Sequence, residues 1–101
     1  MTIRPRMTVQ INGEVGSQEV QIYLNPEARH WLIAELQKLD RSDDHFHVFS
    51  FEDWGGLQLS DVPYGPSDKT VPALKVLLRY DDGDAEYFPH VMAPPPDLIQ
   101  T

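Results

Sequence analysis

Two stretches near the start of the chain alternate apolar and polar positions with the period of a β-strand. The first runs from Met7 to Ile11 and the second from Gln18 to Leu24. A Gly-containing loop between two such runs predicts an antiparallel hairpin. A two-residue turn at Asn12-Gly13 is the alternative; we favour the longer loop because it keeps the second alternation intact. The second strand is expected to bury its aliphatic side chains, which are Val20, Ile22 and Leu24.

A helix is predicted from Asn25-Pro26-Glu27 to about Asp40. Asn can cap the first N–H groups, Pro at the first helical position loses no hydrogen bond, and Glu lies at the positive end of the helix dipole. The apolar stripe of this helix predicts a packing element, with Trp31 at its rim. The stripe consists of Ala28, Leu32, Leu36 and Leu39, widened by Ile33.

The stretch from His45 to Ser60 is the most unusual part of the chain, because it combines four aromatic residues, two histidines and a glycine pair. Its first seven residues predict a strand rich in aromatics. One face of that strand would carry His45, His47, Phe49 and Phe51, and the other Phe46, Val48 and Ser50. Gly55-Gly56 then predicts a tight turn after Trp54, and residues 60–72 an irregular surface loop.

The strongest strand pattern runs from Ala73 to Tyr80. The Asp-Gly pair that follows predicts a hairpin turn, with Ala85–Phe88 as the returning edge strand. The predicted fold is therefore α+β, in the order β-β-α-β-β-β, with a single mainly antiparallel sheet and one helix packed on one face. We expect one domain over residues 1–101, with an ordered core at about 7–92 and tails at 1–6 and 93–101.

Composition narrows the functional classes. The net charge is −8, from 16 acidic against 8 basic residues, which argues against nucleic-acid binding. There is no cysteine, so a disulfide framework and a cysteine nucleophile are excluded. No apolar run is long enough for a membrane span and no signal peptide is evident, so we expect a cytoplasmic protein without membrane contact.

Candidate chemistry is sparse. His45 and His47 would project from the same strand face, where two nitrogens could meet one metal, with His90 or Glu52 completing a site. Strand histidines more often bond backbone or water, so we predict neither a metal nor another cofactor. The acidic run at 81–84 lacks the spacing of an EF-hand loop, and no motif of nucleophilic or phosphate chemistry is present. The chain is therefore expected not to be an enzyme.

Surface acids offer the alternative of a binding site. They cluster at a helix end, a turn and a predicted hairpin, with an aromatic side chain beside the turn, as protein interfaces often do. Ordinary solvated loops, with Trp54 in the core, would give the same pattern. The candidate partner-binding residues are Asp43, Asp44, Glu52, Asp53, Trp54, Asp81, Asp82 and Asp84.

The layout is similar to the bacterial immunity-protein family thirty-two of polymorphic toxin systems. The similarity covers about residues 7–80 and rests on the helix start at Asn25, the His45-Phe46-His47-Val48 strand and the Trp54-Gly55-Gly56 turn with Leu59 behind it. It implies a cytoplasmic protein that binds and inhibits a cognate toxin, for which a basic nuclease domain would suit an acidic inhibitor.

Three hypotheses follow from the sequence. The first is a non-enzymatic immunity protein that neutralises a toxin through its acidic surface. The second is a small accessory α+β domain that binds another protein or its own copy through an edge strand. The third is a metal-dependent enzyme built on His45 and His47.

Overall fold

The computed structural model describes residues 3–93. In this part of the chain, five strands, two α-helices and a short 3-10 helix follow one another. They are β1 (Met7–Asn12), β2 (Glu19–Leu24), α1 (Pro26–Lys38), β3 (His45–Phe49), β4 (Lys69–Thr70), β5 (Ala73–Leu77), α2 (Asp81–Tyr87) and the 3-10 helix Pro89–Met92. No helix within residues 3–93 is long and apolar enough to cross a membrane.

The first sheet has the order β2-β1-β4 and contains the predicted hairpin. Met7 lies opposite Leu24 and Asn12 opposite Glu19, which confirms the longer loop. Gly13 enters that loop at φ +99°, and a Cβ there would come within 2.9 Å of the Ser17 carbonyl oxygen. Glycine is therefore required at this position on both conformational and steric grounds.

The two faces of this hairpin are covered differently from the prediction. Thr8 and Gln10, expected to face solvent, are buried, whereas the β2 side chains expected in the core are exposed. Thr8 and Gln10 are buried because a segment distant in sequence covers them. The segment at 60–68 crosses the polar face, where the Tyr64 ring stacks on Tyr23 at 3.9 Å and Asp68 Oδ2 accepts from Gln10 Nε2 at 2.8 Å. The β2 residues concerned are Val20, Ile22 and Leu24.

The second sheet pairs β3 antiparallel with β5. The chain passes directly from β4 in the first sheet to β5 in the second, and backbone hydrogen bonds extend both pairings into this connection. Val71 N–H donates to the Val9 carbonyl at 2.7 Å, and Ser50 N–H donates to the Pro72 carbonyl at 2.9 Å. The segment 69–77 therefore pairs with β1 at its start and with β3 at its end.

Helix α1 begins where the sequence predicts, because Asn25 Oδ1 accepts from Ala28 N–H at 2.8 Å. Asn25 also anchors the preceding segment, since its Oδ1 accepts from Arg6 N–H and its Nδ2 donates to the Arg4 carbonyl. The helix ends at Lys38 rather than near Asp40. Its buried side packs on the core, which consists of Met7, Val9, Ala28, Phe46, Val48, Leu57 and Leu59.

The predicted C-terminal hairpin is wrong. β5 ends at Leu77, and residues 81–87 form helix α2 instead of a turn and an edge strand. Three carboxylates in its first turn favour a helix N-terminus through the dipole. Arg79 Nε donates to Asp84 Oδ1 at 2.9 Å, and Arg41 adds a tertiary contact by donating to Asp82 Oδ1 at 3.3 Å.

These elements give an α+β fold whose paired strands are mainly antiparallel, as predicted. Two details differ from the prediction for residues 3–93: the strands form two small sheets rather than a single one, and a second α-helix is present. The Pro-rich tail at 94–101 lies outside the described residues.

Candidate protein-binding surface

Five aromatic side chains form a continuous row on the outer side of the second sheet. We call this row the aromatic ladder; it consists of His45, His47, Phe49, Phe51 and Trp54. Successive ring centroids from His45 to Phe51 lie 5.3, 5.3 and 4.7 Å apart. The Trp54 ring closes the row edge-on, at 5.4 Å from His47 and 6.1 Å from Phe49. These separations are those of favourable aromatic pairs, so the rings hold one another in place.

Strand alternation produces the ladder. Phe46 and Val48 are buried in the core, and the Phe46 ring meets Trp31 of α1 at 5.9 Å. The residues between them therefore point away from α1, which confirms the predicted division of this strand into two faces. On β5, Leu77, Lys75 and Ala73 lie opposite the three ladder residues of β3. Lys75 places one cation near the middle of this surface.

A tight turn fixes the end of the ladder. Trp54 and Leu57 exchange backbone hydrogen bonds of 2.8 and 3.1 Å across Gly55 and Gly56, which have φ of +59° and +95°. Asp53 Oδ1 accepts from Gly56 N–H at 2.8 Å. Two consecutive positive φ angles are the signature of a turn that glycine pairs favour. Trp54 is half-buried, because one part of its ring packs on the core while the rest completes the ladder.

Asp43 and Asp44 lie at the first end of the ladder. Asp44 Oδ1 is 3.0 Å from His45 Nδ1, and this hydrogen bond is the main cause that lowers the pKa of the Asp44 carboxyl. The Asp44 carbonyl also accepts from Leu78 N–H at 2.7 Å, which ties this loop to the end of β5. Asp43 is exposed beside it.

The three predicted site acids of α2 are brought to the same end, but two of them are paired with arginines. Asp82 Oδ1 lies 3.3 Å from Arg41 Nη2, and hydrogen bonding to Arg41 is the main cause that lowers the pKa of Asp82. Asp84 is held by Arg79. Asp81 makes no ion pair among residues 3–93. The α2 acids therefore act mainly to dock this helix.

Glu52, Asp53 and Trp54 lie at the opposite end of the ladder from Asp44. The five residues of β3 separate the two ends by about 16 Å at the rise of a strand. The seven predicted acids thus form two groups at the two ends of the aromatic ladder, not one negative patch, and Trp54 belongs to the ladder itself. Phe49 and Phe51 were placed on this face by the alternation but were not selected as site residues. The sequence feature that could have identified them as site residues is the run of four alternating rings that leads into Trp54.

The two histidines do not gather a metal-binding cluster. Among residues 3–93, no group of three histidine or acidic side chains is arranged to hold a metal ion. The rings of His45 and His47 meet edge to face within the ladder, and His45 turns its Nδ1 toward Asp44. His90, proposed as a third ligand, contacts Phe88 in the C-terminal segment instead.

Comparison of the chain with known proteins gives no family assignment. No family model, curated protein or solved structure matches it. The similarity to immunity proteins therefore stays a prediction from the residues that carry it.

Proposed function

We propose that this chain is a non-enzymatic protein-binding domain that holds its partner on the aromatic ladder, and that the partner is a toxin which it neutralises. The observation that supports the binding role is the exposure of the Phe51 ring. This side chain is 68% exposed although its ring centroid lies only 4.7 Å from that of Phe49. Covering such a ring would contribute on the order of 2–3 kcal/mol to an interface.

The chemistry around the ladder favours a partner with arginine or lysine side chains. Aromatic faces attract cations, and the exposed acids Glu52 and Asp53 directly follow Phe51 in the chain. The net charge of −8 would speed the encounter with a basic surface. A basic toxin domain fits this description, and toxin neutralisation is the role that the resemblance implies.

Binding is preferred to catalysis because of how the ladder's histidines are engaged. His45 is the ring with an acidic partner, Asp44, but no serine or threonine hydroxyl hydrogen-bonds to it among residues 3–93. An activated nucleophile needs that contact. His47 lies between Phe49 and His45, where it extends the aromatic surface.

The experiment compares three immobilised proteins: the wild type, Phe51→Ala and Tyr87→Ala. Tyr87 is the matched control, because it is an aromatic side chain 71% exposed on α2, outside the ladder. Each protein is incubated with lysate of the source organism, and bound proteins are identified by mass spectrometry. We expect a basic protein that the wild type and Tyr87→Ala retain and Phe51→Ala loses.

The captured protein is then expressed alone and together with the chain in a test host. Growth arrest that the wild type relieves and Phe51→Ala does not relieve would support toxin neutralisation. A captured protein that is harmless when expressed alone contradicts the toxin assignment while leaving the binding role. Equal retention by Phe51→Ala and the wild type contradicts the ladder as the binding surface.

A further inference from the structure

Strand β2 is an open edge of the first sheet. It pairs with β1 through six consecutive residues without a bulge, so its other side presents a regular row of backbone N–H and C=O groups. Edge strands are usually protected by lysine, proline, a bulge or a covering segment. The β2 sequence contains no lysine or proline, and Glu19 at its start is its only charge. Such an edge is suited to pairing with another strand.

One face of β2 is also apolar and exposed. Val20, Ile22 and Leu24 expose 64%, 49% and 38% of their surface, although they share a face with the buried Met7 and Val9 of β1. These side chains were expected to be core. They are uncovered because the core ends at β1 and includes no β2 residue.

Helix α1 extends the same surface. Arg29 lines a shallow groove together with Ile22 and Leu24, so this side of the helix overlooks β2. Ile33 and Leu36 follow Arg29 at the i+4 and i+7 positions of the same side, and they expose 48% and 46%. With the three β2 side chains they present roughly 400 Å² of apolar surface, comparable to the largest apolar patch of a typical soluble protein, and such patches are often functional.

We propose that a second copy of this chain covers this surface, with β2 of the two copies paired antiparallel about a two-fold axis at Ile22. In this register Ile22 meets Ile22 of the second copy, and Val20 meets Leu24 of the second copy. Every contact on the apolar face is then aliphatic against aliphatic. The two three-stranded sheets become one six-stranded sheet, with both α1 helices on the same face.

The charge pattern favours a copy of the chain in this orientation. Antiparallel pairing at Ile22 separates the two Glu19 carboxylates by six residues, or about 20 Å. That distance is about twice the screening length in physiological salt, so the repulsion is weak. Parallel pairing would instead bring the same carboxylates to about 5 Å. A symmetric interface of this kind closes on itself and leaves no β2 edge exposed.

The size of the surface is compatible with a dimer. A stable interface buries about 800 Å² on each partner. The aliphatic patch supplies about half of this area, and the strand backbone and Arg29 would add to it. The proposal is independent of the partner-binding role, because β2 and the aromatic ladder belong to different sheets.

The oligomeric state of the whole chain tests the proposal. Sedimentation equilibrium over a concentration series should give a mass approaching twice 11.6 kDa. Ile22→Lys should stay monomeric, because two ammonium groups would meet at the axis. Val62→Lys is the matched control, since it places the same charge at an aliphatic residue 68% exposed in the 60–68 segment, and it should dimerise like the wild type. A monomeric wild type at several hundred micromolar would overturn the proposal.

Cross-linking tests the register separately. The chain has no cysteine, so a single introduced thiol gives an unambiguous result. Cα atoms of directly opposed residues lie about 4.5–5.5 Å apart, within the range of a disulfide. Ile22→Cys should therefore form a covalent dimer under mild oxidation, whereas Val20→Cys, four residues from its counterpart, should not. Equal cross-linking of both variants, or none at Ile22→Cys, would overturn the antiparallel pairing at Ile22.

Discussion

Gln10 is the most revealing position for a mutational test, because it is a polar side chain with no exposed surface. Its Nε2 donates to Asp68 Oδ2 at 2.8 Å and to Gln21 Oε1 at 2.9 Å, and its Oε1 accepts from Tyr64 N–H at 2.9 Å. One amide thus ties the 60–68 segment to the first sheet. We expect Gln10→Glu, which has nearly the same shape, to break this connection.

The expected loss of unfolding free energy follows from the cost of protonating the introduced carboxylate. An ionised Glu at this position would place a second carboxylate against Asp68 and remove both donors, which is worse than taking up a proton. Protonating a carboxyl of ordinary pKa near 4.3 at pH 7 costs about 3.7 kcal/mol, at 1.36 kcal/mol for each pH unit. A protonated Glu also supplies one donor where the amide supplies two, so we expect the free energy of unfolding to fall by about 4 kcal/mol at pH 7.

The pH dependence has a definite sign. Burial and the Asp68 carboxylate both raise the folded-state pKa of the introduced Glu above its unfolded value. The loss of stability is therefore small below about pH 4 and grows as the pH rises toward the folded pKa. At pH 4 the deficit should be about 1 kcal/mol or less, because little free energy is then needed to add the proton.

Urea unfolding followed by circular dichroism at pH 4 and pH 7 measures both values. Gln18→Glu is the matched control, since it makes the same chemical change at an exposed loop residue, and it should stay within about 0.5 kcal/mol of the wild type. A deficit for Gln10→Glu below about 1 kcal/mol at pH 7, or one that does not shrink at pH 4, would refute this reasoning.

Three further predictions concern the turn, helix α2 and the ladder. Gly56→Ala should lower the free energy of unfolding by about 1–2 kcal/mol in urea titrations, because alanine is strained at a φ of +95°. Gly83→Ala is the contrasting case, because a Cβ there meets open space inside α2, and it should raise the free energy of unfolding by up to about 1 kcal/mol. Asp82→Asn should lower the melting temperature at neutral pH. The difference from the wild type should vanish as the pH falls through the lowered pKa of Asp82, where the wild-type carboxylate also loses its charge. Asp81→Asn is the control, because Asp81 makes no ion pair in residues 3–93, and its melting temperature should not show this pH-dependent difference. Trp54→Ala should cost about 2–3 kcal/mol in thermal unfolding, less than a fully buried tryptophan, because its ring is only half-buried; an unchanged melt would contradict its contact with the core.

Local sequence determined the elements whose signals lie within a few residues of one another. The cap at Asn25, the alternation of His45 to Phe49 and the Gly55-Gly56 turn are all observed as predicted. Each depends on backbone geometry and on hydrogen bonds between near neighbours, so the local sequence is enough to predict it without knowledge of distant contacts. The sequence also supplied the two ends of the candidate surface, because Trp54 and its acidic neighbours adjoin the predicted strand.

The C-terminal segment shows where local signals fail. Asp82-Gly83 is typical of a hairpin turn, yet residues 81–87 are helical. Arg79 and Arg41 hold Asp84 and Asp82, and the second of these contacts spans 41 residues. A distant ion pair leaves no trace in the local pattern, and the two pairs together remove two of the predicted acids from the candidate surface.

Periodicity alone divides each strand into two faces, because successive side chains alternate across the backbone. It does not specify which face another segment will cover. Gln10 is buried because the 60–68 segment crosses its face, while Ile22 is exposed because the core ends at the neighbouring strand. Burial depends on segments far away along the chain, so only the tertiary structure decided that a glutamine lies inside this protein and an isoleucine outside it.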